Sequence, residues 1–251
     1  IQHGVGSEDR QEIEKVLHLP KNEKELEESA FNLINHLKDN GVDIAGLLYL
    51  NPKYRLSPEY QMKMATFYCS KAESGSSAEE VNQWAAAHTN GQIKKIIDQN
   101  DLKDFFILLA NAIHFKGDWK VPFKKKKTEV DEFSAPTGGV KVSMMHKREQ
   151  TGYFEDEASQ AVRLGYKNSE CSLVLILPKK ENDFSSFDAS CFETILNGFR
   201  SNMVTIELPK FSLEKEIDVK EILKDMGVNH LFTRPDFSNM IDFSDSESNN
   251  V

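Results

Sequence analysis

The groups in these 251 residues that could carry chemistry are histidine, carboxylate, lysine and cysteine side chains, and their spacing limits what they can do. No G-x-S-x-G elbow, P-loop, G-x-G-x-x-G turn, H-E-x-x-H pair or EF-hand loop occurs. His114 is the most suggestive histidine, because an imidazole set in an apolar run can have a shifted pKa and act as a base. A structural, hydrogen-bonded histidine is the plainer reading at that position. His88 and His146 stand beside polar or charged residues and read as surface positions. Glu25, Glu27 and Glu28, and the cluster Glu155, Asp156 and Glu157, read as solvated faces, so acid–base catalysis is not indicated. Lys124, Lys125, Lys126 and Lys127, with Lys116 and Lys120, could meet a polyanion such as a sulfated glycan or a phosphoinositide, although a solvated loop is the simpler account. Cys69, Cys171 and Cys191 form no C-x-x-C pair, which removes the usual zinc and redox motifs. They read as free, mostly buried thiols, with one disulfide and a spare thiol as the alternative. The chain is expected to be a non-enzyme without cofactor or metal.

The elements that must position these residues follow from periodicity. Helices are expected over 8–19, ended by Pro20, and over 25–40, where Leu26, Ala30, Phe31, Leu33, Ile34 and Leu37 form a stripe and Asn40-Gly41 caps the end. A strand is expected over 42–50. Ser57 and Pro58 then begin a short helix to about residue 65, and 67–70 could be another short strand. After a polar break at 73–77, Val81, Trp84, Ala85, His88, Ile93, Ile96 and Ile97 keep approximately helical register over 78–97, interrupted at Asn90-Gly91. The run 105–115 is almost wholly apolar and predicts a strand buried on both faces at the centre of a large sheet. Beyond it, 140–145, 151–154, 160–164, 172–177 and 203–208 read as strands, and 187–199 and 219–226 as helices. The acidic, Ser/Asn-rich stretch 242–251 reads as disordered or as a cut edge.

Composition bounds the alternatives. Lys and Arg number 31 against 40 Asp and Glu, a net charge of −9, so phosphate attraction is weak and no nucleic-acid partner is expected. No apolar run approaches the length needed to span a bilayer, so no membrane partner is expected. Without an internal repeat or a low-complexity linker, the chain reads as one mixed α+β domain over 1–251. It starts at Ile1 without an initiator Met or an apolar leader, which reads as processing or cleavage.

One segment is far more specific: Asn111-Ala112-Ile113-His114-Phe115-Lys116-Gly117-Asp118-Trp119-Lys120-Val121-Pro122-Phe123, followed by Thr128, Phe133 and Val142-Ser143-Met144-Met145. It resembles the serpin pattern Asn-x-x-x-Phe-Lys-Gly-x-Trp-x-x-x-Phe, then Thr, Phe and Val-x-Met-Met. Residues 11–17, 45–50 with Tyr54 and Leu56, 81–84 with 89–93, 173–178, Leu208-Pro209-Lys210-Phe211, 223–228 with Phe232, and 237–244 resemble further serpin segments in the same order. The resemblance covers nearly the whole chain.

That resemblance implies an α+β serpin fold, with a large mixed sheet A, further β-sheets and surrounding helices. It implies a serine protease inhibitor whose cleaved reactive loop inserts as a new strand of sheet A, the free energy of strand addition driving the trap. Asn111 then matches the polar shutter position where the sheet parts. Trp119 matches the breach, where insertion starts, and Trp84 lies on the helix covering the sheet. A non-inhibitory serpin acting as chaperone or small-ligand carrier is the second reading. The resemblance also leaves gaps. The family's first helices, its hinge of the Glu-Glu-Gly-Thr kind, its reactive bond, and the serine and histidine partners of Asn111 have no counterpart in 1–251. The run 105–115 is therefore expected to lack a neighbour on one side and to aggregate or recruit a complementary serpin chain. The expected target is a chymotrypsin-like serine protease. The expected setting is extracellular, with the cytosol as the alternative.

Overall fold

The computed structural model of the chain describes residues 1–135, 138–179, 187–213 and 219–242. The chain forms two compact units, one of Ile1–Phe115 with Glu216–Val251, the other of Lys116–Lys215. The expectation for 242–251 lies outside the described residues, except for Asp242.

The first unit opens with helix α1 (Ser7–Val16) and helix α2 (Glu23–Asp39). Asn22 caps α2 by accepting the Glu25 amide. Glu23 and Glu25 in the first turn, with His36 and Lys38 in the last, complement its dipole. Gly41, at φ +82°, turns the chain out of the helix. Strand β1 (Val42–Leu50) follows, then helix α3 (Pro58–Tyr68), strand β2 (Ser70–Ser74), helix α4 (Ala78–His88) and strand β3 (Ile107–Phe115). The sheet order is β2-β1-β3, β1 pairing parallel with β2 and antiparallel with β3. Helix α3 makes the crossover that a parallel pair requires.

Two cores flank this sheet. On one face Leu48 and Leu50 pack with Tyr60 and Met64 of α3, together with Leu56, Val228 and Met240. On the other, Ala45, Leu47, Tyr49 and Ala112 pack with Val81, Trp84 and Ala85 of α4. Helix α6 (Val219–Asp225) and the single turn α7 (His230–Thr233) complete the unit.

The second unit is mostly β structure. Strands β4 (Thr128–Ala135), β5 (Gly138–Glu155), β6 (Ser159–Gly165) and β7 (Ser172–Pro178) form an antiparallel path. Helix α5 (Ala189–Gly198) leads into β8 (Arg200–Pro209), which pairs with β5. Its core is Leu164, Ile206 and Leu208, with Trp119, Phe123 and Met145 packed against them.

Several expectations need correction. The run 105–115 does not lie at the centre of its sheet. Among the described residues strand β3 is an edge, and β1 is the middle strand. Nor is β3 buried on both faces, since Leu109 and Ile113 are 50% and 62% exposed. An unbroken apolar run says that a strand has no polar face, not that both faces are covered. The expected strand over 67–70 is displaced: α3 continues through Tyr68, Cys69 turns at φ 50°, and β2 takes up Glu73 and Ser74, read earlier as a break. Only Ala72 of β2 is buried, so the strand carries no apolar signal. The helix expected over 78–97 stops at His88, and Asn90 and Gly91 have positive φ. The side chain of Asn82 then binds 96–97 back, accepting from the amides of Ile96 and Ile97 and donating to the Ile97 carbonyl. The strands expected over 140–145 and 151–154 are one strand, β5, whose polar middle pairs with β8, and β4 was not foreseen.

Candidate functional site

The centre of the first sheet is a polar row across three strands. Gly46 of β1 is the register partner of Ser70 on β2 and of Asn111 on β3. A side chain at Gly46 has no room, because a Cβ there would stand 2.2 Å from Ser70 Oγ. The glycine thus lets β2 close on β1 and leaves Asn111 a clear approach. Asn111 is exposed, and its side-chain amide donates to the Ala45 carbonyl at 3.2 Å. Ser70 Oγ donates to the Tyr68 carbonyl instead.

Around this row the edge of β3 stands open among the described residues. Leu109 and Ile113 share Asn111's face, which is the face opposite α4. His114 points to the α4 side and meets its register partner Asp43 across the ladder, Nδ1 to Oδ2 3.8 Å. It is therefore a cross-strand partner, not a buried base.

Helix α4 is seated on the sheet through Trp84, 8% exposed, and through Tyr49 from the strand beneath. The Tyr49 hydroxyl donates to Glu80 at 2.6 Å and accepts the Ser77 amide at 3.0 Å, so a fully buried side chain of β1 holds the helix N-terminus. Burial pushes this phenol above its ordinary pKa, with the hydrogen bond to Glu80 acting in the same sense. Gly75 leaves the hydroxyl its space, since a Cβ there would lie 2.1 Å away. At the other end of the helix, the His88 ring lies tilted against Trp84 with centroids 4.9 Å apart, and its Nδ1 lies 2.8 Å from the Trp84 carbonyl oxygen.

Trp119 belongs to the second unit. It makes an isolated antiparallel bridge with Tyr166, stacks on that ring at 4.8 Å, and meets Phe123 edge-on at 6.1 Å. Lys124, Lys125, Lys126 and Lys127 are all exposed, and the three cysteines are free and partly buried. His146 lies between Glu129 and Glu207, at 3.6 and 3.7 Å. His3, Glu23 and Glu27 come close enough to ligate one ion. Lys63 already occupies that space, ion-paired to both carboxylates, so the cluster is a charge network completed by an ammonium.

Gly46, Ser70, Tyr49 and Gly75 were missed by sequence reasoning. The available signal for Gly46 was a glycine interrupting the apolar strand 42–50, which marks a close backbone approach. Nothing in the sequence marked Ser70 as its neighbour. The structure brings Asn111 and the Trp84 helix to opposite faces of one sheet.

These elements define an α+β scaffold built on a mixed sheet with α3 on one face, α4 on the other and, among the described residues, an open edge at the antiparallel strand β3. Residues 1–251 match the family model for Serpin (serine protease inhibitor), and the chain belongs to the serpin family. It is 31% identical to a serpin-like protein of Thermococcus kodakarensis, over 94% of this chain and 58% of that protein. It is 32% identical to serine protease inhibitor 42Dd of Drosophila melanogaster, over 99% of this chain and 70% of that one. The chain therefore spans little more than half the length of the first relative. Among solved structures it superposes on Serpin48 of the insect Tenebrio molitor with a TM-score of 0.88 at 23% identity, covering 96% of this chain and 70% of that one. That likeness shows the fold. Among the described residues no helix is long and apolar enough to cross a membrane.

Proposed function

We propose that residues 1–251 are the scaffold of a serine protease inhibitor that acts by loop cleavage and insertion of the cleaved loop beside β3, the loop lying outside this stretch. The observation that carries the reading is the open edge of β3. It is an antiparallel strand whose outer backbone groups face no strand among the described residues, and it bears exposed Leu109 and Ile113 on either side of Asn111. An added strand gains main-chain hydrogen bonds on such an edge and removes apolar surface from water. On this reading Asn111 holds β3 to β1 until the strand arrives. Trp119 takes the breach role that its motif position implies, and the Trp84 helix must yield while the strand passes. The target is a chymotrypsin-like serine protease outside the cell, and a complementary serpin chain can supply the strand when the loop is not in the same chain.

The test uses the protein expressed from its full reading frame, incubated with trypsin-, chymotrypsin- and elastase-like proteases. A covalent complex that survives SDS supports the trap. Cleavage without a complex overturns it in favour of a non-inhibitory carrier. Secretion of the full product from cells tests the extracellular setting, and retention in the cytosol contradicts it.

A further inference from the structure

Lys147 of β5 is a charged residue inside the apolar core of the second unit. It lies opposite Ile206 in the register, between Met145 and Glu149 on the face that carries Leu164, Ile206 and Leu208. Its side chain is 6% exposed and that of Glu149 10%. The ammonium is 2.7 Å from Glu149 Oε1 and donates to the Val121 carbonyl at 3.0 Å. It stands 4.3 Å from the Phe123 ring centroid and 5.5 Å from that of Trp119. Three of its four partners thus come from 119–123, a stretch with no helix and no ladder beyond the single Trp119–Tyr166 bridge.

Burying an ammonium and a carboxylate together contributes little net stability, because the desolvation of both charges offsets their attraction. An apolar side chain of similar volume often does as well or better. An ammonium adds direction that packing lacks. Its three N–H donors can meet the Val121 carbonyl, the Glu149 carboxylate and the ring faces together, which ties 119–123 to β5. We infer that Lys147 is the positioning residue for Trp119, the indole at the motif's breach position. The inference rests on the insertion reading for its consequence, and the contact stands without it.

In the protein expressed from its full reading frame and labelled with 5-fluorotryptophan, the fluorine resonances of Trp84 and Trp119 are assigned by Trp84→Phe and Trp119→Phe. In Lys147→Met the Trp119 resonance is expected to shift and broaden while that of Trp84 stays in place and the melting temperature holds. Lys147→Arg, which keeps a cation facing the rings, is expected to restore the original position. An unmoved Trp119 resonance in the methionine variant overturns the inference, as does equal displacement in the arginine variant. If the methionine variant does not fold, Glu149→Gln provides the same readout, with a smaller shift expected and no shift counting against the assignment. Should Trp119 be displaced while the full-length protein traps protease at an unchanged rate, the positioning role survives and the entry role of Trp119 falls.

Discussion

Asn111 on the edge strand β3 donates its side-chain amide to the backbone carbonyl of Ala45 on the middle strand, 3.2 Å away. The bond adds a side-chain tie to a ladder already closed by backbone pairing, at the point where Gly46 faces Asn111. Asn111→Ala is expected to lower unfolding stability by about 1 kcal/mol, the usual net worth of one hydrogen bond. Urea unfolding checks this. On the insertion reading the same variant also accepts an added strand faster, and an unchanged rate with lowered stability would confine Asn111 to a structural role.

Gly46 is the position least tolerant of a side chain in this sheet. Gly46→Ala puts a methyl group 2.2 Å from Ser70 Oγ, and the cost is expected to be about 1–3 kcal/mol, as for other overpacked sites. Ser70→Gly removes the obstructing oxygen and should recover most of that loss in the double variant. A cycle of the four proteins, read by denaturation, isolates the coupling. If the two changes simply add, the close approach is not what requires the glycine.

What was legible in the sequence follows from where the signal lies. The body of α2, β1 and the start of α3 are local: Gly41, Ser57 and Pro58 stand at their ends, and an apolar period fills the space between, whereas the Asn22 cap was not read. The motif around Asn111 and Trp119 was legible through resemblance alone. The place of β3 in its sheet was not legible, because strand order depends on which neighbours are present, and residues 105–115 read the same at a centre and at an edge. β2 was hidden by its polarity, with one buried residue in five. Lys147 was hidden because a lysine between His146 and Arg148 reads as solvated surface until β8 and 119–123 enclose it.

The N-terminus of helix α4 is tied to the strand beneath it by the Tyr49 phenol, beside the Ser77 cap and Gln99, which accepts the Ala78 amide. Tyr49→Phe removes both the bond to Glu80 and the acceptor for the Ser77 amide. A loss of about 1–3 kcal/mol is expected, because the hydroxyl is fully buried and one of its partners is charged. Amide hydrogen exchange should accelerate in the first turn of α4 more than in β1, because the strand keeps its ladders on both sides. Equal acceleration in helix and strand would show that the helix and sheet open together.

Two ion pairs set opposite limits on pH stability. The hydrogen bond to the buried Asp9 carboxylate, Nδ1 to Oδ1 2.8 Å, holds His230 above its ordinary pKa of 6.5. Glu8 and Glu12 face the same imidazole and act in the same direction. A raised histidine pKa contributes stability that is complete below the unfolded value and is lost as pH rises through the folded one. Glu23, hydrogen-bonded to Lys63, is pulled down from 4.5 to about 2, so its contribution is present above 4.5 and is lost as pH falls toward 2. Stability is expected to fall on both sides of a plateau. His230→Gln should flatten the alkaline side, and Lys63→Met the acid side by removing the partner of Glu23 and the positive charge that lowers His3, each read from denaturation midpoints across pH. A profile whose alkaline slope survives His230→Gln would rule out the histidine as its source.

Leu109 and Ile113 should decide how the 251-residue chain behaves in solution. They are 50% and 62% exposed on an edge strand, and an exposed apolar edge is a template for pairing with another strand. The chain at micromolar concentration is expected to be oligomeric or aggregated. A charge on the outer face opposes such association at little cost to the opposite face, because successive β3 side chains alternate and Ala110 and Ala112 carry the α4 contact. Leu109→Lys and Ile113→Lys together should shift the mass measured by light scattering toward the monomer while far-UV circular dichroism stays unchanged. A wild-type chain that is monodisperse and melts cooperatively as a monomer would mean that the β3 edge is already satisfied, and the room for an additional strand would then have to be sought elsewhere in the sheet.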